Sequence, residues 1–239
     1  GSRKQISTHI LQIANEYYAA ARPKQPLRNN ELPTLALATR GIAYLELRLT
    51  DINPEDPCGI SPAQLNVLET YLLYCLLHPE GPQNHAVRDE NDHNRLRTAC
   101  CGLSDGFSLK QARHDRPIQD AALELLAAMQ PIAARLDAER GGSASSDALA
   151  ALIREVADKT HLPYRAQAGN REGFLAYHLA WRDKHHATLH QPLPEAERAA
   201  LAAQAAASLS KQAEIEARPQ ADFETYLREH FAPLQQLLD

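Results

Sequence analysis

The 239-residue sequence has only four cysteines, Cys58, Cys75, Cys100 and Cys101, with no CxxC pair among them. That is too sparse for a secreted disulfide scaffold, so the thiols read as reduced. Cys75 occupies an apolar helical position in "LETYLLYCLLH" and is expected in the core. The neighbours Cys100 and Cys101 read as unbridged, because adjacent cysteines rarely meet the geometry of a disulfide. No apolar run approaches the ~20 residues of a membrane span, and no secretory signal core opens the chain, so a cytoplasmic protein with no membrane partner is expected. An excess of positive charge is also lacking. With 25 basic against 30 acidic residues and a net charge of -5, there is no bulk attraction to phosphate backbones or anionic lipid, and nucleic acid is not an expected partner. Fixed-period repeats and low-complexity linkers are absent as well.

What is present is a chain long enough to bury a core, with a change of pattern near residue 60. Upstream, "QISTHILQI", "EYYAAARPK" and "IAYLELRLT" are β-branched, Pro-interrupted or alternating, which predicts strands with a loop over residues 26–33. Downstream the pattern is helical. Ser61-Pro62-Ala63-Gln64 forms a capping box with proline at the first helical position, opening a helix that stops before Pro79. Further helices are predicted over about 84–101, 118–139 with Pro131 as a kink, 147–159, 172–186, 195–217 and 222–238. The fold class is therefore α+β, a few antiparallel strands near the N-terminus followed by a mainly helical region. Residues 3–60 form a strand-rich segment and residues 61–239 the helical region, a layout that looks like one end of a larger α+β protein.

On a strand, alternate side chains share a face. Over residues 42–50, Ile42, Tyr44, Glu46, Arg48 and Thr50 line one side, while Ala43, Leu45, Leu47 and Leu49 line the other. The leucine side is expected to be core and the polar side to face a cleft. If residues 16–24 are extended, Glu16, Tyr18, Ala20, Arg22 and Lys24 share a face too. Two such faces suit an anionic ligand. Glu-x-Arg alone is equally the mark of a solvent-facing strand with an ordinary ion pair.

The segments "LQIANEYYAAARPK" and "RGIAYLELRLTDINPEDPCGIS", in this order and spacing, resemble the proteobacterial type of glutamate–cysteine ligase, over its C-terminal half. The matching residues are Leu11-Gln12-Ile13, Asn15-Glu16, Tyr18, Arg22-Pro23-Lys24, Tyr44-Leu45-Glu46-Leu47-Arg48 and Asp51-Ile52-Asn53-Pro54. The resemblance is strong over residues 5–77 and thinner beyond. It departs at Ala14, where some members carry an acid, and in lacking the separated cysteine pair that some members have. It implies a sheet of the glutamine-synthetase kind and an ATP- and Mg2+-dependent joining of L-glutamate to L-cysteine through a γ-glutamyl phosphate. It also implies that the N-terminal half of the enzyme, missing here, is a partner. By the same resemblance Glu46 is a metal ligand, Arg48 a catalytic and nucleotide contact, and Tyr18 a substrate contact to the cysteine carboxylate. Arg22 and Lys24 are nominated from their face and charge as contacts to nucleotide or substrate anions. Glu46 alone is too few ligands for Mg2+. Two other readings stay open: a noncatalytic module derived from such a ligase, and a related γ-glutamyl ligase with another amine acceptor.

Other clusters are plainer. Asp89, Asp92 and His93 in "RDENDHNR" read as a solvated helix face, His185-His186 lacks further ligands at metal spacing, and Trp181 and Met129 read as core.

Overall fold

The computed structural model describes residues 10–11, 18–28, 31–78, 81, 83–102, 104–112, 114–158, 167, 169–219 and 221–235. In chain order the elements are β1 (Ala21–Lys24), α1 (Pro33–Arg40), β2 (Tyr44–Leu47), α2 (Pro62–Leu77), α3 (His85–Cys101), β3 (Ser108–Gln111) and β4 (His114–Pro117). Among the described residues these helices follow: α4 (Ile118–Arg140), α5 (Ala144–Ala157), α6 (Phe174–Leu189), α7 (Glu195–Glu216) and α8 (Phe223–Gln235). The class is the expected α+β: among the described residues two short antiparallel ribbons, β1–β2 and β3–β4, accompany a mainly helical chain. The chain divides into two compact units, one of Gly1–Asp51 with Pro192–Asp239 and one of Ile52–Gln191.

The core of the Ile52–Gln191 unit follows from one apolar stripe on α4. Leu126, Met129 and Ala133 recur at helical spacing and pack with Leu149 of α5; Val67 and Tyr74 of α2 and Leu152, Ile153 and Val156 of α5 close around them. The turn between α4 and α5 is set by Gly141, which caps α4 at φ 74° and ψ 65°, a left-handed conformation that suits glycine. Buried Asp137 then accepts hydrogen bonds from the backbone N–H groups of Ser145 and Ser146, both at 2.8 Å, so the last turn of α4 caps the first turn of α5. Hydrogen bonding from Ser146 is the chief cause that holds this carboxyl below the ordinary aspartate range, against a burial that would raise it. The capping box of α2 forms as read: Gln64 N–H donates to Ser61 Oγ at 3.2 Å, and Ser61 N–H to Gln64 Oε1 at 2.9 Å.

Several expectations need correction. Helix α1 was not anticipated, and neither was the β3–β4 hairpin. That hairpin is held by side chains rather than by an apolar face: Asn94 of α3 donates to Lys110 O at 2.6 Å and accepts from Lys110 N–H at 2.8 Å, and Glu90 accepts from Ala112 N–H at 3.0 Å. Such clamps leave no periodic trace. Helix α4 does run through Pro131 to Arg140, as the expected helix over residues 118–139 required. Cys75 is exposed, not core. It lies about 100° around α2 from Tyr74, off the side that packs on α4 and α5. Trp181 is half-buried on a helix with no buried residue; its ring is covered by Lys184, with Nζ 4.0 Å from the ring centre, and by His185, stacked at 5.6 Å. Met129 is fully buried, as expected. The strand expected over residues 5–13 lies outside the described residues except for Ile10 and Leu11, which are exposed and not in a strand.

Truncating Met129 to alanine removes the centre of the α4–α5 stripe. It is expected to destabilise the chain by about 2–5 kcal/mol, read as a lower urea midpoint; an unchanged midpoint contradicts this packing.

Candidate functional site

The ribbon β1–β2 brings together residues that the sequence separates by 20 positions or more. Its antiparallel register sets Ala21 against Leu47, Arg22 against Glu46, Pro23 against Leu45 and Lys24 against Tyr44. The pairing continues at both ends, with Arg48 N–H donating to Ala20 O and Ala43 N–H to Lys24 O, each at 2.9 Å. Directly opposed residues share a face, so Arg22, Lys24, Tyr44 and Glu46 lie on one side of the ribbon. The two polar faces read from the sequence are therefore a single surface.

Glu46 is the hub of that surface. Arg48 Nε donates to its Oε1 at 2.9 Å and Arg48 Nη2 to its Oε2 at 3.2 Å, while Lys24 Nζ stands 3.1 Å from Oε2. The three side chains are partly exposed, 36% for Glu46, 27% for Lys24 and 24% for Arg48, so ligands can reach them. The Arg48 hydrogen bonds, followed by that of Lys24, hold the Glu46 carboxyl below the ordinary glutamate range; Glu46 in turn raises the Arg48 guanidinium. Exposed Tyr18 completes the group, its ring centre 5.3 Å from the Arg48 guanidinium carbon, within reach of a cation–π contact. Lys24 and Arg48 thus share one carboxylate, a surplus of positive charge suited to a phosphoryl group or a substrate carboxylate.

All five residues singled out in the sequence, Tyr18, Arg22, Lys24, Glu46 and Arg48, fall on or beside this ribbon. The leucine face behind it needs correction: Leu45 and Leu49 are 47% and 57% exposed and Leu47 is half-buried. A two-stranded ribbon has no second layer of its own to cover them. Asp89, Asp92 and His93 are exposed on α3, as the plain reading had it. Among the described residues no group of three or more His, Cys, Asp or Glu side chains is arranged to hold a metal ion.

The connection from β1 to β2 carries residues that the sequence did not flag. Glu31 forms an ion pair with Arg40, whose Nη2 donates to Glu31 Oε2 and to Pro26 O, both at 2.7 Å. Gln25 Nε2 donates to Arg40 O at 3.2 Å and to Gly41 O at 3.0 Å. This clasp folds α1 back against the end of β1. Gly41 then turns the chain into β2 with φ 73° and ψ -165°, a region open essentially to glycine alone.

With this geometry in view, the comparisons define a class first: residues 1–98, which contain the whole ribbon, match the family model described as glutamate–cysteine ligase. Particular relatives extend the match. The chain is 35% identical over 243 residues to the glutamate–cysteine ligase of Pseudomonas paraeruginosa, covering 100% of this chain and 46% of that protein. It is 35% identical over 240 residues to that of Azotobacter vinelandii, covering 98% and 45%. A solved structure, the glutamate–cysteine ligase of Francisella tularensis in complex with AMP, superposes with a TM-score of 0.85 at 27% identity, covering 99% of this chain and 47% of that one. By sequence and by backbone the chain is similar to the glutamate–cysteine ligases, the match corresponding to a C-terminal half; it spans about half the length of the curated relatives it matches. No helix among the described residues is long and apolar enough to cross a membrane.

The clasp has a pH signature. The hydrogen bond from Arg40, then that from the Arg28 backbone, pulls the Glu31 carboxyl down to about 2. A carboxyl depressed in the folded state adds stability that is complete above its unfolded value of about 4.3 and is lost as pH falls through the folded one. Glu31→Gln is therefore expected to show a shallower loss of thermal stability than the parent between about pH 5 and about pH 2. Parallel curves contradict the assignment.

Proposed function

We propose that this chain supplies one side of the active site of an ATP- and Mg2+-dependent ligase that joins the γ-carboxylate of L-glutamate to the amine of L-cysteine, the first step of glutathione biosynthesis. The observation that carries the reading is the Tyr18, Arg22, Lys24, Glu46 and Arg48 surface, lying within the residues that match the ligase family. A carboxylate is a poor acyl donor. ATP makes it a good one by transferring its γ-phosphoryl group to the glutamate side chain; the cysteine nitrogen then displaces phosphate from the acyl carbon, leaving the amide, ADP and phosphate.

Phosphoryl transfer depends mainly on positioning and on neutralising charge that spreads over the transferred oxygens. Arg48 has the role of contacting that group. Its fork is held in orientation by Glu46 and covered by the Tyr18 ring, so little freedom is lost when a ligand arrives. Lys24 and Arg22 add charge for nucleotide or substrate anions, and Tyr18 has the hydroxyl for the cysteine carboxylate. Mg2+, if bound, would be held in part by Glu46 and would supply neutralisation of phosphate charge. Glu46 suits one oxygen position of such an ion and no more, so the further ligands come from outside the described residues, as does the rest of the glutamate pocket. The AMP carried by the Francisella tularensis relative supports a nucleotide as the ligand class.

The test is reconstitution with the remaining half of the ligase polypeptide. ATP consumption is expected only with both amino acids present. Arg48→Ala and Glu46→Gln are each expected to lower kcat by about 10²-fold, the order found on removing a single transition-state contact, and Arg48→Lys is expected not to restore it. Unchanged rates in these variants overturn the residue roles. The absence of any Mg-ATP-dependent rise in Tm of the reconstituted protein favours the noncatalytic module instead.

A further inference from the structure

The last turn of α6 carries two histidines that the ligase reading does not use. His186 and His190 are four residues apart, both exposed, with ring centroids 3.7 Å apart and planes inclined by 24°. Two features make the pair more than a surface stack. His190 Nδ1 lies 3.0 Å from His186 O. A carbonyl only accepts, so Nδ1 carries the proton and Nε2 keeps its lone pair directed away from the backbone. An imidazole whose second nitrogen donates to a main-chain carbonyl is the form in which histidine usually binds a metal. The location is also favourable, because α6 ends at Leu189 with His190 as its C-cap, and the unpaired carbonyls of a helix C-terminus attract positive charge.

We propose that His186 and His190 form a two-imidazole chelate for a borderline divalent transition-metal ion of the Zn2+, Ni2+ and Cu2+ kind, with water completing the coordination. Imidazole nitrogen suits these ions over Mg2+ or Ca2+, which prefer oxygen. Residues four apart on a helix stand one above the other, so a modest ring rotation converts the stack into a chelate. Asp183 lies on the same side of α6, but its Oδ1 is engaged by Arg182 at 2.7 and 2.9 Å, so it is not counted as a ligand. His185 points elsewhere, its Nε2–H donating to Pro54 O at 2.8 Å, and is also left out.

The chain provides its own reporter. Trp181 is the only tryptophan, and it sits five residues before His186, about 7–8 Å along the helix axis. Bound Ni2+, being paramagnetic, quenches its fluorescence, whereas Zn2+ displaces Ni2+ without quenching. Titration of the 239-residue chain with NiCl2 is expected to give saturable one-to-one quenching that ZnCl2 reverses. The apparent Kd is expected to weaken roughly tenfold or more in both His186→Ala and His190→Ala, and to be unchanged in His178→Ala, a histidine of the same helix outside the pair. Circular dichroism and the unquenched Trp181 spectrum establish that each variant is folded; His186→Gln and His190→Gln repeat the test where an alanine variant is not. Quenching that does not saturate, that survives in the double variant, or that is weakened equally in His178→Ala overturns the proposal.

Discussion

Register between two four-residue strands decides what the polar surface contains. Because side chains alternate every second residue, sliding β1 by one position against β2 would send Arg22 and Lys24 to the leucine side and leave Glu46 with Arg48 alone. The pairing is short, so little of its specification can come from the ladder itself. The clasp supplies the rest. Arg40, tied to Glu31 and Pro26, and Gln25, tied to the carbonyls of Arg40 and Gly41, fix where α1 ends and so where β2 begins. Positions of cations on a surface are thus determined by contacts that are not themselves on it.

The ion pairs at Glu46 are partly exposed, and such pairs contribute little to folding. Their consequence is positional. A guanidinium already held by a carboxylate loses less freedom when it meets an anion, and a carboxylate flanked by two cations stays ionised at lower pH than a free glutamate does.

How much of this was legible in the sequence depends on whether a feature is periodic. Alternation exposed the two polar faces, and with them Tyr18, Arg22, Lys24, Glu46 and Arg48, although nothing in the spacing said that the faces would merge. Ser61 with Gln64 marked the start of α2 because caps use a small set of residues at fixed offsets. Helix α1 was hidden by brevity: eight residues following a proline-rich loop give little more than two turns of pattern. The β3–β4 hairpin was hidden because Asn94 and Glu90 hold it through its backbone, an interaction that any sequence of strand residues can make. Leu45, Cys75 and Trp181 were misplaced for a common reason. An apolar residue reports a preference for burial, and the side of the element with something packed against it decides whether that preference is met.

Gly41 draws these threads into a matter of heredity. No atom lies within 4 Å of where a side chain would begin there, so the space is open and the restriction is purely one of backbone conformation. A single-base change in that codon to alanine or serine would leave charge, volume and hydropathy nearly untouched, yet force every descendant to bend the path into β2 some other way. The cost of a side chain there falls on the backbone alone, and a comparison of side-chain chemistry would not reveal it.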